Sequence, residues 1–334
     1  MAAQNKKIKD ILKYTLLFLL AGVLVYFAFR KVDWGDFWNG LLQTRWFWVA
    51  VFCVVSLVAV LFRAIRWREL LLPFDPDIKM IRVLDVINIG NLTSVALPGV
   101  GELLRCALVT NKKLEYDKSI GTMFCERLWD CIALTVLAIV SLLLGWNRFG
   151  SYFKEKILDP LAANTTFWLI LVLVVIAIAT FVILVFKLRH RHNVFGKIAT
   201  SLSRMWDGFT VFSKSRNKVM VVISTMVVWS MYVLMCFCII KAMPMLDGLD
   251  IVDALFFSMV GNVASVLPVP GGVGAYHYLV AAAVCVYGYS WDIGILFATL
   301  NHEIHAVLII IIGIISYLHS MAVGNKTGRV KAEE

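Results

Sequence analysis

The chain has 334 residues, of which 60% are hydrophobic and only 16% charged, with a formal net charge of +10 and a mean hydropathy of +0.82. A soluble domain carries roughly 25% charged residues, so this composition excludes an ordinary soluble enzyme. With no soluble basic domain, the positive charge has no nucleic-acid role either. About 20 apolar residues of helix cross a bilayer core of about 30 Å, and runs of that length recur along the chain. They define an all-α polytopic integral membrane protein.

In chain order, Lys6, Lys7, Lys9 and Lys13 precede an apolar run at Ile11–Phe29 that ends in Phe27-Ala28-Phe29-Arg30-Lys31. No small-x-small cleavage site follows, so the run reads as a retained first helix rather than a signal peptide. The second run, Trp46–Phe62, ends at Arg63, Arg66 and Arg68 around Trp67, which read as a cytoplasmic interface anchor. A Gly/Pro-broken segment follows, then a run at Ile120–Trp146. The second half carries runs at Thr165–Leu188 and Lys218–Ile240, a second broken segment at Ile251–Gly288, and a last run at Trp291–Leu318. Between the halves, residues 189–217 form a basic connector. There Phe195, Ile198, Leu202, Met205, Trp206, Phe209 and Phe212 recur at helical spacing among Lys197, Arg204 and Lys214, the pattern of an interfacial amphipathic helix. The seven cysteines lie mostly in apolar segments and read as small hydrophobes.

The two broken segments repeat each other. Gly90-Asn91-Leu92-Thr93-Ser94-Val95-Ala96-Leu97-Pro98 returns as Gly261-Asn262-Val263-Ala264-Ser265-Val266-Leu267-Pro268, and Thr122-Met123-Phe124-Cys125-Glu126 resembles Thr299-Leu300-Asn301-His302-Glu303. Placing the basic stretches on the cytoplasmic side puts both termini there and makes the broken segments enter from opposite faces. The expectation is one membrane domain over 1–334, built from inverted repeats at 1–150 and 151–334. Each repeat has three spans plus one broken hairpin, giving six full spans and two re-entrant hairpins, or up to ten crossing helices. Interrupted segments at matching positions point to a substrate site between the halves.

Ionisable residues inside spans cost roughly 2.5–3.5 kcal/mol each on insertion scales, so each is a candidate for function. Glu102 and Arg105 follow Pro98-Gly99-Val100-Gly101 at i, i+3, as a phosphate cradle or an internal ion pair. Glu126, Arg127 and Asp130 share faces of the next helix, as a translocation path or an interhelical network. His277 follows Pro270-Gly271-Gly272-Val273-Gly274, and His302, Glu303 and His305 lie on the last helix. Interhelical hydrogen bonds, a proton relay and a metal site all remain open for them; the spacing of two residues between the histidines is not that of a metalloprotease. The substrate-contact set is therefore Asn91, Pro98, Gly101, Glu102, Arg105, Glu126, Arg127, Asp130, Asn262, Pro268, Gly271, Gly272, His277, His302, Glu303 and His305. No catalytic residue, metal or cofactor is assigned.

The ordered run Leu97-Pro98-Gly99-Val100-Gly101-Glu102-Leu103-Leu104-Arg105, Glu126-Arg127-Leu128-Trp129-Asp130 and Leu267-Pro268…Pro270-Gly271-Gly272-Val273-Gly274 resembles the lysylphosphatidylglycerol synthase transmembrane-region family, the flippase-like domain. Arg63-Ala64-Ile65-Arg66-Trp67 is similar to its pattern at the end of the second helix, and the resemblance covers nearly the whole chain. It implies a domain that, in two-domain members, moves an aminoacylated phospholipid between leaflets while a separate soluble domain synthesises it. No such soluble segment is present here, so synthase activity is not expected. The family commonly has Glu where this chain has His277, and Arg where it reads His302-Glu303. The expectation is a flippase for a phosphate-containing lipid, phospho- or polyprenyl-type, in the cell membrane (the inner membrane of a double-membraned bacterium). Its partners are anionic membrane lipids and not nucleic acid. The alternatives are a membrane-embedded enzyme acting on a lipid headgroup, or an accessory subunit that binds a lipid-modifying enzyme.

Overall fold

A computed structural model describes residues 19, 22–23, 25–30, 32–97, 99–155, 159, 163–188, 193–265, 269 and 272–333. Most of the first apolar run, with Pro98, Pro268 and Gly271, lies outside the described residues. The described residues contain helices and no strand. That follows from the solvent: in a bilayer every backbone N–H must be satisfied within its own segment.

A short helix α1 (Trp34–Leu42) is capped by Asp33, whose carboxylate accepts from the N–H groups of Gly35 and Asp36. The helices α2 (Trp46–Leu71), α3 (Met80–Ala96) and α4 (Val100–Val109) follow, then a long α5 (Tyr116–Phe153). In the second half come α6 (Thr165–Leu188), α7 (Asn193–Phe209), α8 (Val211–Lys214), α9 (Lys218–Ala242), α10 (Ile251–Ala264), α11 (Ala275–Val286) and α12 (Trp291–Glu333). Among the described residues four helices are long and apolar enough to cross a membrane: α2, α5 to Arg148, α9, and α12 to Val323. The helix α6 matches the predicted run end for end. The others run beyond the predicted ends, α2 to Leu71, α5 to Phe153, α9 to Ala242 and α12 to Glu333.

Polar contacts sort the helix ends into two groups. At one end Arg45 pairs with Asp247 through two bonds of 2.8 and 2.7 Å, and Arg148 reaches Asp250 at 2.9 Å and Asp253 at 2.7 Å. At the other, Arg82 donates to the carbonyls of Leu108 and Thr110, Asn111 to Asp75, and Lys113 to Asp77. The pair α3–α4 opens toward the second end, beside Arg82. The pair α10–α11 starts at Asp250, at the first end. The two broken pairs thus open toward different groups of helix ends.

The largest core cluster lies between α9, α10, α11 and α12, around Phe257, Phe297 and Ile239, all fully buried. Outward faces stay apolar, as at Phe47, Leu143 and Ile315, which suits a hydrocarbon surround. The Trp34, Trp38, Trp46 and Trp146 rings are likewise exposed. The connector holds a helix, α7, one face of which packs on the bundle. α7 crosses the start of α5 at Gly121 and Gly208, where a Cβ on Gly121 would fall 2.7 Å from the Gly208 Cα. Arg204 pairs with Glu115 at 3.3 Å, so α7 is docked on the bundle while Trp206 stays exposed.

Candidate functional site

The first tip is closed by backbone contact. Gly90 on α3 and Gly101 on α4 pack so tightly that a Cβ on Gly101 would fall 1.9 Å from the Gly90 carbonyl oxygen. Gly99 supplies the left-handed turn (φ 76°) that starts α4, a conformation that L side chains avoid. Close approach places Glu102 and Arg105 against α2 and α5.

Around them lies a lattice of arginines and carboxylates. Glu126, fully buried, accepts from Arg66 through Oε1 and from Arg105 through Oε2, both at 2.7 Å. Arg66 also donates to Asp130 at 2.7 Å, and Arg105 to Glu102 at 2.7 Å. The Arg105 guanidinium lies 4.4 Å over the Trp67 ring, whose Nε1–H donates to Thr122. Trp229 donates to Asp130 from α9. In this inner layer each carboxylate oxygen of Glu126 has its own guanidinium, while Arg66 Nε and Arg105 Nε and Nη1 are buried without a hydrogen-bond partner. The outer layer is looser. Arg127 approaches Glu126 at 3.3 Å and Asp130 at 3.2 Å, yet its Nε and Nη2 form no directed hydrogen bond. Arg63 reaches Glu102 only at 3.7 Å.

The second tip is built on aromatic and imidazole groups. A Cβ on Gly261 would meet the Tyr276 ring at 2.7 Å, so the repeated glycine here accommodates a ring where Gly90 accommodates backbone. Gly272 and Gly274 carry positive φ values of 71° and 86°. They lead into α11, where His277 is 1% exposed. His277 Nε2 lies 3.6 Å, and His302 Nδ1 3.0 Å, from the same Glu303 oxygen. Both tips line a cavity of about 460 Å³, walled by Asn91, Ser94 and Gly99 on one side, Ser265, Val269 and Gly272 on the other, and His302, Glu303 and His305 on α12.

The structure therefore brings the predicted residues into two adjoining groups. Glu102, Arg105, Glu126, Arg127 and Asp130 form the lattice. Asn91, Gly272, His302, Glu303 and His305 line the cavity, with His277 behind. Asn91 and Asn262 diverge: the Asn91 amide nitrogen has no hydrogen-bond partner, whereas that of Asn262 donates back to the Ser258 carbonyl. His305 bonds Ser56 on α2 at 2.9 Å, so the close imidazole–carboxylate trio is His277, His302 and Glu303 rather than the three histidines. The reading of Arg66 as an interface anchor is overturned, since it is 1% exposed at the centre of the lattice. Its i, i+3 spacing from Arg63 on an apolar helix was the available signal. Arg68 does sit at the helix end, bonded to the Ile78 carbonyl. The paired Glu126 and Glu303 also differ: the first is fully buried, the second 43% exposed along its side chain.

The family model described as Lysylphosphatidylglycerol synthase TM region matches residues 14–313. No curated protein and no solved structure matches the chain. The match spans both broken helix pairs, the arginine–carboxylate lattice and the cavity; the chain belongs to this family.

Proposed function

We propose that this member of the lysylphosphatidylglycerol synthase TM region family is a flippase that moves a phosphate-containing lipid, phospho- or polyprenyl-type, between the leaflets of the cell membrane. The observation that carries the reading is a charge surplus. Among the described residues Arg63, Arg66, Arg105 and Arg127 face only Glu102, Glu126 and Asp130 across contacts of 3.9 Å or less, which leaves one positive charge over. In apolar surroundings that surplus is costly, and a lipid phosphate neutralises it. Arg66 and Arg105 are 1% exposed and hold Glu126 directly, whereas Arg63 and Arg127 are 17% and 42% exposed, so these two are the arginines a phosphate can reach, and arginine's planar fork suits bidentate phosphate contact. Gly99 on the cavity wall lies three residues before Glu102, so the headgroup enters the cavity while the phosphate stays at the arginines.

The two pairs act as re-entrant hairpins of inverted repeats, with both termini in the cytoplasm, and rocking of the halves exposes the cavity to one side at a time. The docking of α7 on α5 supports a structural role for the connector over recruitment of a lipid-modifying enzyme, because its glycine face is already covered. The test is reconstitution in liposomes with a panel of labelled lipids. Protein-dependent movement of a phosphate-bearing lipid, reduced at least tenfold by Arg127→Ala at unchanged folding, is expected. Equal lipid movement in empty and protein-containing vesicles across the panel would refute the reading.

A further inference from the structure

We infer that His277, His302 and Glu303 form a binding site for a divalent first-row transition metal, of zinc type, at the wall of the cavity between the two tips. One ligand atom from each of the three lies within 4.8 Å of the others. Tetrahedral zinc holds nitrogen and oxygen ligands at about 2.0–2.1 Å, which spaces them about 3.3 Å apart. The separations of 3.6 Å from His277 Nε2 and 3.0 Å from His302 Nδ1 to the Glu303 oxygen bracket that value. Two imidazoles and one carboxylate are a ligand set that suits zinc and its neighbours, and disfavours magnesium and calcium, which take oxygen ligands.

Three further observations point the same way. The His277 ring is 1% exposed and its Nε2 stands 3.6 Å from the Glu303 oxygen, too long for a hydrogen bond, so the trio does not close a network of its own, as a purely structural buried cluster does. Phe29 lies 5.4 Å from the His277 ring and Tyr276 4.8 Å from the His302 ring, an apolar shell that shields the ligands. His302 and Glu303 both line the cavity, which leaves a fourth coordination position open to a ligand.

A metal here also answers an electrostatic difficulty. The cavity wall holds one carboxylate and no lysine or arginine among its described residues. An anionic group crossing from Arg127 into the cavity meets Glu303 uncompensated. A divalent cation on Glu303 and two neutral imidazoles turns that wall from one negative charge to one positive charge. The role in lipid movement rests on the proposed flippase reading; the site itself does not.

The experiment measures metal on purified protein, stripped with a chelator, then equilibrated separately with zinc, cobalt and magnesium. About one zinc per chain by mass spectrometry of the metal, and the intense visible absorption of tetrahedral cobalt, are expected, with no magnesium retained. His302→Ala and Glu303→Gln each lose the metal, while His305→Ala, whose imidazole bonds Ser56, retains it. A thermal melt of each metal-free variant separates loss of ligand from loss of fold, and His277→Gln serves where alanine unfolds the chain. Less than a tenth of an equivalent of zinc in the wild type, or zinc retained by folded His302→Ala and Glu303→Gln, would overturn the site. Undiminished lipid movement by the metal-free protein sinks the electrostatic role of the metal alone; metal bound without lipid movement sinks the flippase reading alone.

Discussion

The two tips share a sequence and differ in what holds them. At the first, Gly90 and Gly101 bring two backbones together and the flanking charges are arginines locked onto Glu126. At the second, Gly261 receives the Tyr276 ring and the flanking groups are two histidines beside Glu303. A repeated glycine therefore encodes room at a helix crossing, and not which group fills it. The tips therefore differ in chemistry: an arginine–carboxylate lattice stands beside the first, and two imidazoles with a carboxylate stand at the second.

The comparison breaks most severely at Glu126. Glu126→Gln removes the buried carboxylate that two guanidinium groups share, leaving each with one carboxylate partner, and is expected to cost about 3–5 kcal/mol, read as a large fall in melting temperature in detergent. Glu303→Gln, at the matching position of the second half, leaves only imidazole partners and changes the melt far less. Next comes backbone against ring. Gly101→Ala is expected to cost about 1–3 kcal/mol with no rescue by trimming Ser94, because the Gly90 carbonyl remains in the way. Gly261→Ala is expected to be rescued by Tyr276→Leu, since only a side chain obstructs it. Rescue of both, or of neither, removes the asymmetry.

Smaller still is Arg127→Ala. Its side chain is 42% exposed and has no directed hydrogen bond, so stability falls by about 1 kcal/mol or less while lipid movement is lost. A large stability loss would place Arg127 with the buried inner layer instead. The smallest effect lies at the far end of the bundle, where the Arg148 guanidinium holds the Asp250 carboxyl down to about 2. A depressed carboxyl stabilises the fold above its ordinary value of about 3.9 and ceases to do so as pH falls through about 2. The stability difference between wild type and Arg148→Ala is thus full above pH of about 4 and shrinks below it, a dependence that thermal melts across pH would follow.

Much of this was legible in the chain. Runs of apolar residues set the long helices, and Thr165–Leu188 needed no correction. The i, i+3 spacing of Glu102 and Arg105 gave their 2.7 Å contact, because helix geometry alone fixes that neighbourhood. Arg66 was misread: three arginines at the end of an apolar run look like an interface anchor unless Glu126 and Asp130 are known to arrive from another helix. For the same reason His305 looked like a partner of His302, three residues away, until Ser56 on α2 claimed it.

Periodicity, composition and the repeated Gly-Asn element determined by themselves that this chain is helical, lies in the membrane and carries two broken segments. Those are local or statistical properties, set by the apolar solvent and by hydrogen bonds within a segment. Tertiary structure alone decided which arginines are buried on Glu126 and which stay accessible, that Gly90 meets backbone while Gly261 meets a ring, and that His277 shares a carboxylate with His302. Each of these depends on groups distant in sequence approaching within about 3–4 Å, the range over which hydrogen bonds and ion pairs act, and spacing along one chain segment does not specify that approach.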